Sequence, residues 1–247
     1  MKSFGITDVG KKRKMNQDYL FYSDEPVGCF PNLYIVADGM GGHRAGDKAS
    51  SYAVTRFVEL ARKTGEMHPF KAMEQLIRQV NQEVFHISYQ QEEYAGMGTT
   101  FVAATVADRT VYVMNIGDSR LYFHDGESLR QITMDHSLVE ELVRAGELAP
   151  QESRNHPQKN IITRAIGVYE NLTPDFFRIP IKKNQKILLC SDGLSNMVDD
   201  EMLEEILSDG GTIEQEAEQC KNEALFFGGT DNIAVVIAQM EDRGCTK

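Results

Sequence analysis

With 247 residues, 41% of them hydrophobic and 26% charged, the chain is long and apolar enough to bury a substantial core without covalent staples. The formal charge of −11, from 37 acidic against 26 basic residues, argues against non-specific nucleic-acid binding, which draws its affinity from Lys and Arg set on phosphates. No apolar run approaches the roughly 20 residues that span a bilayer, and Lys11-Lys12-Arg13-Lys14 is not followed by a signal-like apolar stretch, so a soluble, cytoplasmic protein is expected. Cys29, Cys190, Cys220 and Cys245 are widely separated and show neither metal-finger spacing nor a Cys-x-x-Cys motif, which reads as reduced, structural thiols.

In chain order, Phe4 to Thr7, Asp18 to Tyr22 and Leu33 to Asp38 read as short strands between turn-rich segments. Ala45 to Thr64 and Pro69 to Tyr89 carry apolar residues at three- and four-residue steps, including Ala53, Phe57 and Leu60, then Leu76, Val80, Val84 and Ile87, which predicts two amphipathic helices. Thr99 to Ala107 and Val111 to Ile116 are rich in β-branched residues and meet at Asp108-Arg109-Thr110 as a hairpin, followed by strands near Arg120 to His124 and Ser128 to Gln131. Asp135 to Gly146 reads as a short helix capped by Asp135 or Ser137. Polar, aperiodic Glu147 to Asn160, with Pro150 and Pro157, reads as a mobile flap at about 147–160. Lys186 to Ser191 is predicted as a buried strand, Asp200 to Leu207 and Ile213 to Phe226 as helices, and Ile233 to Ala238 as a closing strand. Strand runs at both ends with helix pairs between them do not alternate as βαβα, so the expected class is α+β, with two mainly antiparallel sheets covered by helices in one domain over 1–247.

Four distant segments end a predicted strand in an aspartate: Val36-Ala37-Asp38-Gly39, Asn115-Ile116-Gly117-Asp118, Cys190-Ser191-Asp192-Gly193 and Gly229-Thr230-Asp231-Asn232. Together with Asp18 they suggest hard oxygen donors gathered around divalent ions, and carboxylates suit Mg²⁺ or Mn²⁺ rather than zinc. Glycine after Asp38 and Asp192 would let the backbone turn sharply and expose a carbonyl as a further ligand, as at Gly39. Two such ions polarise phosphoryl oxygens and lower the pKa of a bound water until it serves as the nucleophile, so no covalent intermediate is needed. Arg13 offers a planar fork for two phosphate oxygens. Blander readings stand beside these. Asp-Gly is more often a turn, as expected at Asp125-Gly126 and Asp209-Gly210; Asp118 and Asp231 could cap turns, and Arg13 alone could be one of a solvated basic run.

Taken in order, Arg13-x-x-Asn16-Gln17-Asp18, Val36-Ala37-Asp38-Gly39-Met40-Gly41-Gly42-His43, Gly98-Thr99-Thr100, Asn115-Ile116-Gly117-Asp118-Ser119-Arg120, Leu189-Cys190-Ser191-Asp192-Gly193-Leu194 and Gly229-Thr230-Asp231-Asn232 resemble the bacterial type-2C (PPM family) metal-dependent Ser/Thr protein phosphatases. The resemblance implies an α-β-β-α sandwich flanked by helix pairs, with a dinuclear Mg²⁺ or Mn²⁺ site between the sheets that hydrolyses phosphoserine and phosphothreonine in proteins. By position it implies that Asp38 bridges both ions, Gly39 gives its carbonyl to one, Asp192 and Asp231 complete the other, Asp18 acts through a coordinated water, and Arg13 holds the phosphate. A third, weaker ion is implied at Asp118 and the flap, where Asn160 supplies only a neutral oxygen. Animal members carry a proposed general-acid histidine where this chain has Met40, so the acid stays unassigned between His43 and His156. The implied partners are phosphorylated proteins, including a Ser/Thr kinase that the enzyme opposes as a monomer; the alternatives are a non-catalytic phosphoprotein-docking module and a phosphatase of an anti-anti-sigma factor.

Overall fold

Apolar residues on both faces of the central strands decide the architecture, because a strand that is buried on two sides must lie between two layers. The structure is a computed structural model that describes residues 1–41, 45–153 and 156–241. Its elements run β1 (Lys2–Asp8), β2 (Asp18–Ser23), β3 (Leu33–Met40), α1 (Ala45–Lys63), α2 (Pro69–Gln90), β4 (Gly98–Thr99), β5 (Phe101–Ala107), β6 (Thr110–Ile116), β7 (Arg120–His124) and β8 (Leu129–Gln131). They continue with α3 (Leu138–Arg144), α4 (Pro150–Ser153), β9 (Asp175–Pro180), β10 (Lys186–Cys190), α5 (Asp192–Ser195), α6 (Asp200–Ser208), α7 (Ile213–Phe226) and β11 (Ile233–Gln239).

One sheet has the order β1-β11-β10-β7-β8 and the other β2-β3-β5-β6-β9, with β4 paired to the end of β3. All the strand pairs are antiparallel. Alternation sorts the side chains into layers. In β3, Tyr34 and Val36 face the seam between the sheets, whereas Leu33, Ile35 and Ala37 face α1 and α2. In β11, Ala234, Val236 and Ala238 face the seam, whereas Ile233, Val235 and Ile237 pack towards α6 and α7. Each fully buried Val, Leu or Ile contributes about 1.5–3 kcal/mol relative to exposure, so the three packed layers supply the main driving force. The α-β-β-α sandwich expected from the resemblance is the observed fold.

The helices follow their apolar steps. Ala49, Ala53, Phe57 and Ala61 give α1 a narrow stripe of mostly small residues against the sheet, and α2 opens with Pro69 at its first turn, where the missing N–H leaves no bond unmade. Thr212 and Gln215 form a reciprocal capping box at the start of α7, and Asp199 caps α6 by accepting from the Met202 amide at 2.9 Å. Ser137, rather than Asp135, caps α3, since Asp135 is engaged by Arg120. The β5–β6 hairpin closes through Asp108 and Arg109, both at positive φ (48° and 58°), the two-residue geometry that matches strand twist.

Candidate active site

The carboxylates meet where the ends of the two sheets come together. Antiparallel register sets Asp18 of β2 directly opposite Asp38 of β3. Like charges so placed repel unless a proton or cation lies between them. In the other sheet, β10 runs out beside the start of β11, so Asp192 at the head of α5 and Asp231 just before β11 become neighbours; the Ser191 amide donates to the Ala234 carbonyl at 3.1 Å. The Ser191 hydroxyl then joins the sheets by donating to Asp18 Oδ2 at 2.6 Å while accepting from the Ala234 amide at 2.9 Å. Asn232 adds a second stitch, accepting from the Gln17 amide and donating to the carbonyls of Val9 and Met15, each at 2.9 Å.

Two quoted motifs acquire roles from these contacts. The Thr100 hydroxyl accepts from the Asp38 amide at 2.8 Å, and Thr99 Oγ1 donates to the Asp38 carbonyl at 2.9 Å, so Gly98-Thr99-Thr100 clamps the main chain of Asp38. Thr100 Oγ1 also shares a hydrogen bond with Ser119 Oγ at 2.7 Å, tying Asp38 to the loop that carries Asp118. Gly117 stands at φ +100° with an added Cβ only 2.6 Å from Thr100 Cγ2, so that loop excludes any side chain there.

The electrostatics are those of negative charge held out of water. Asp18 and Asp118 are buried, and Asp38, Asp192 and Asp231 are partly open. The Asp38 carboxyl is close enough to Asp18 and Asp192 for each to shift the protonation of the others. Burial, reinforced by neighbouring carboxylates, pushes Asp18 up to about 8 and raises Asp38, Asp118 and Asp192 above the usual carboxylate range. Asp18 Oδ1, Asp118 Oδ1 and Asp192 Oδ1 have no hydrogen-bond partner. Buried acceptors left unpaired carry a desolvation penalty that a hard cation removes. Among the described residues no three Asp, Glu, His or Cys side chains form a ready-made cage. Mg²⁺-sized ions need none, since they retain several waters and take one or two carboxylates each. The orphaned oxygens and the all-oxygen donor set therefore fit such ions.

Arg13 is half exposed at the rim, with Nη2 2.7 Å from Asp231 Oδ2. This bond, more than the surrounding carboxylates, raises its pKa. Asp231 also accepts from the Asn232 amide through Oδ1 at 2.8 Å, so the turn-capping reading and the clustering are both present in one residue. Asp125 accepts from the Glu127 and Ser128 amides, and Asp209 closes the C-terminus of α6, so these two are the turns expected.

The glycines that follow Asp38 and Asp192 do something other than turn sharply. Strand β3 continues through Gly39 and Met40, which pair with Thr99 and Gly98. A Cβ on Gly39 would stand 2.0 Å from the Gly46 carbonyl oxygen, so glycine is needed there to admit α1. At Gly193 a Cβ would stand 1.8 Å from the Asn232 carbonyl oxygen, where α5 meets the Asp231 loop. Gly193→Ala is therefore expected to force Asp192 and Asp231 apart and lower stability by roughly 3 kcal/mol, read from the denaturant midpoint; an unchanged midpoint would refute the close packing.

Of the two candidate acids, only His156 falls among the described residues. His156 accepts from the Gln158 amide at 3.2 Å through Nδ1 and is not among the residues that line a cavity beside Asp118 and Asp192, and His43 lies outside the described residues. Asn160 is exposed, and its neighbour Lys159 lines that cavity instead. Sequence reasoning also passed over a supporting network. Arg120 forks onto both oxygens of Asp135 at 2.8–3.1 Å, and His136 Nδ1 accepts from the Gly117 amide at 3.1 Å. On its other side His136 Nε2 lies 3.2 Å from Asp175, which also accepts from Arg164 at 2.9 Å. These contacts hold the Asp118 loop against the base of the flap. The Asp-His pair at 135–136 beside a predicted cap was the only sequence hint.

A sandwich of two antiparallel sheets, helix-covered on both outer faces and closed at one end by a cluster of carboxylates, is the scaffold of metal-dependent phosphatases. Residues 10–225 match the family model for protein phosphatase 2C. The serine/threonine phosphatase Stp of Listeria monocytogenes is 41% identical over 244 residues, covering 95% of this chain and 94% of its own. Protein phosphatase PhpP of Streptococcus pneumoniae is 38% identical over 247 residues, 96% of each. Among solved structures, the serine/threonine phosphatase of S. agalactiae superimposes with a TM-score of 0.90 at 34% identity, over 97% of this chain and 99% of that one. The catalytic domain of the serine/threonine phosphatase PstP, solved with two manganese ions, gives 0.85 at 30% identity over 98% of both chains. The chain belongs to the protein phosphatase 2C family.

Proposed function

We propose that this protein hydrolyses phosphoserine and phosphothreonine in proteins with the help of two Mg²⁺ or Mn²⁺ ions, and that it opposes a Ser/Thr kinase as a cytoplasmic monomer. The observation that carries the reading is the convergence of Asp18, Asp38, Asp118 and Asp192 from both sheets with three buried oxygens unpaired. Asp38 would lie between the ions, with the Gly39 carbonyl on one side and Asp192 and Asp231 on the other; Asp18 would act through water and Asp118 on a weaker third ion. Bound there, the ions would polarise the phosphoryl oxygens and acidify the water between them. Thr99, Thr100 and Ser191 fix these aspartates beforehand, so little reorganisation accompanies reaction. Arg13, poised on Asp231 at the mouth, would turn its fork to the phosphate and fix its orientation. The test is Mn²⁺-dependent release of phosphate from a phosphothreonine peptide together with calorimetric metal uptake, both lost in Asp192→Ala; folded protein that takes up Mn²⁺ but leaves phosphopeptides intact would refute the reading.

Arg13→Ala isolates the role of the arginine. It is expected to raise KM for phosphopeptides about tenfold to a hundredfold, with kcat and Mn²⁺ affinity changed far less. Equal losses in metal affinity and in KM would assign Arg13 to holding Asp231 instead.

A further inference from the structure

A cavity of about 470 Å³ opens beside the carboxylate cluster, with Asp118 and Asp192 in its lining. It has more room than the phosphoryl group requires. Asp118, only 8% exposed, is among the lining residues, and its buried Oδ1 has no hydrogen-bond partner. Glu140 of α3 forms one wall, and Asp199, Asp200 and Glu201 at the start of α6 form the other. Their charges are unequally committed. Asp199 caps α6 and Asp200 accepts from the Tyr122 hydroxyl at 3.1 Å, whereas the carboxylates of Glu140 and Glu201 have no hydrogen bond or ion pair among the described residues.

Among the described residues of the lining, positive charge is scarce. Arg120 is held by Asp135 and Tyr122, which leaves Lys159 of the flap as the lining cation without an ion pair among the described residues. The described lining therefore carries a net negative charge. Arg13, by contrast, meets Asp231 and does not line this space, so the two features flank the cluster separately. A ligand whose phosphate sits at the cluster would place neighbouring groups in the cavity, and the complementary neighbour is a cation.

We propose that this cavity receives a lysine or arginine side chain of the phosphoprotein, lying close in sequence to the phosphorylated residue, so that basic flanks select the substrate. The inference rests on the phosphatase reading above and names the substrate class of that same site. Glu140 and Glu201 act as specificity-determining residues; they hold the flanking cation and do not touch the phosphate.

The test compares phosphothreonine peptides that differ only in flanks, arginine, alanine or glutamate, with p-nitrophenyl phosphate as a substrate that has none. The parent enzyme is expected to show kcat/KM about tenfold or more higher for the arginine peptide than for the alanine one. The double variant Glu140→Gln with Glu201→Gln should erase that preference through KM, while p-nitrophenyl phosphate turnover stays within about twofold. Glu201→Lys should move the preference towards the glutamate peptide. Equal use of all three peptides by a parent enzyme active on p-nitrophenyl phosphate overturns this inference alone, as does a proportional loss on every substrate in the double variant. A folded, Mn²⁺-loaded parent inert to p-nitrophenyl phosphate overturns the phosphatase reading and the inference with it.

Discussion

Asp38→Asn is expected to lower kcat/KM on a phosphothreonine peptide by about a thousandfold or more, equivalent to roughly 4 kcal/mol of transition-state stabilisation. The same substitution should raise the melting temperature of the protein in chelator. The two effects share one cause. Asp38 faces Asp18 across the strand pair and lies near Asp192, so in the absence of a cation it must either carry a charge where others already stand or bind a proton to avoid it. Asparagine keeps the shape and removes the repulsion, but it also removes the charge that would hold two ions. Calorimetric scans of parent and variant, each with EDTA and with excess Mn²⁺, read both effects at once. A variant that retains the Mn²⁺-induced rise in melting temperature would show that Asp38 is not a ligand.

Metal removal should make the parent protein lose stability as the pH rises from about 5 to 8. Burial raises Asp38, Asp118 and Asp192, and pushes Asp18 up to about 8 from an ordinary 3.8. The folded form therefore holds more protons than the unfolded chain across that window, and stability falls with pH wherever the native state binds the excess. Stability from these groups is fully present below pH 3.8 and lost as pH passes their raised values. His124 and His136, whose burial lowers their pKa from 6.5, work in the opposite direction at the acid end, but two imidazoles stand against four carboxylates. Adding Mn²⁺ should reverse the trend, since cations displace the shared protons; each ion at a hundredfold excess over its Kd adds roughly 2.7 kcal/mol. Melting temperatures at pH 5, 6, 7 and 8 with EDTA and with Mn²⁺ give the comparison. Parallel, flat profiles would mean that the carboxylates do not interact as the geometry requires.

The long elements were legible in the sequence because their periodicity records a consistent boundary between layers. Ala53 and Phe57, or Leu76 and Val80, recur at helical steps because one face of each helix meets a sheet. Strand β9 left no comparable trace. Its residues Asp175 to Pro180 lie at the edge of a sheet, none of them fully buried, and Pro180 closes a segment with no continuous apolar run. Helix α5 was missed for a different reason: four residues are too few for a period, and Ser191-Asp192-Gly193 reads equally as a strand end. In the flap, α4 interrupts a stretch read as aperiodic.

At the site, the aspartates were visible because polar residues ending apolar strands break the pattern around them. Their supports were not. Thr99, Thr100, Ser119 and Ser191 act through single hydrogen bonds to groups distant in sequence, and a lone hydroxyl carries no spacing that announces its partner. His136 and Asp175 meet across 38 intervening positions, and one of them belongs to the strand that was not foreseen.

The proposed donor residues come from opposite halves of the molecule: Asp18 and Asp38 ride on one sheet, Asp192 and Asp231 on the other, and Ser191 bolts the halves together. Cation affinity is thus hostage to how the interior meshes. Trimming a methyl from Val102 or Val236, far from any ligand oxygen, would let one layer slip against its mate and surface as weakened Mn²⁺ uptake before the fold itself gave way.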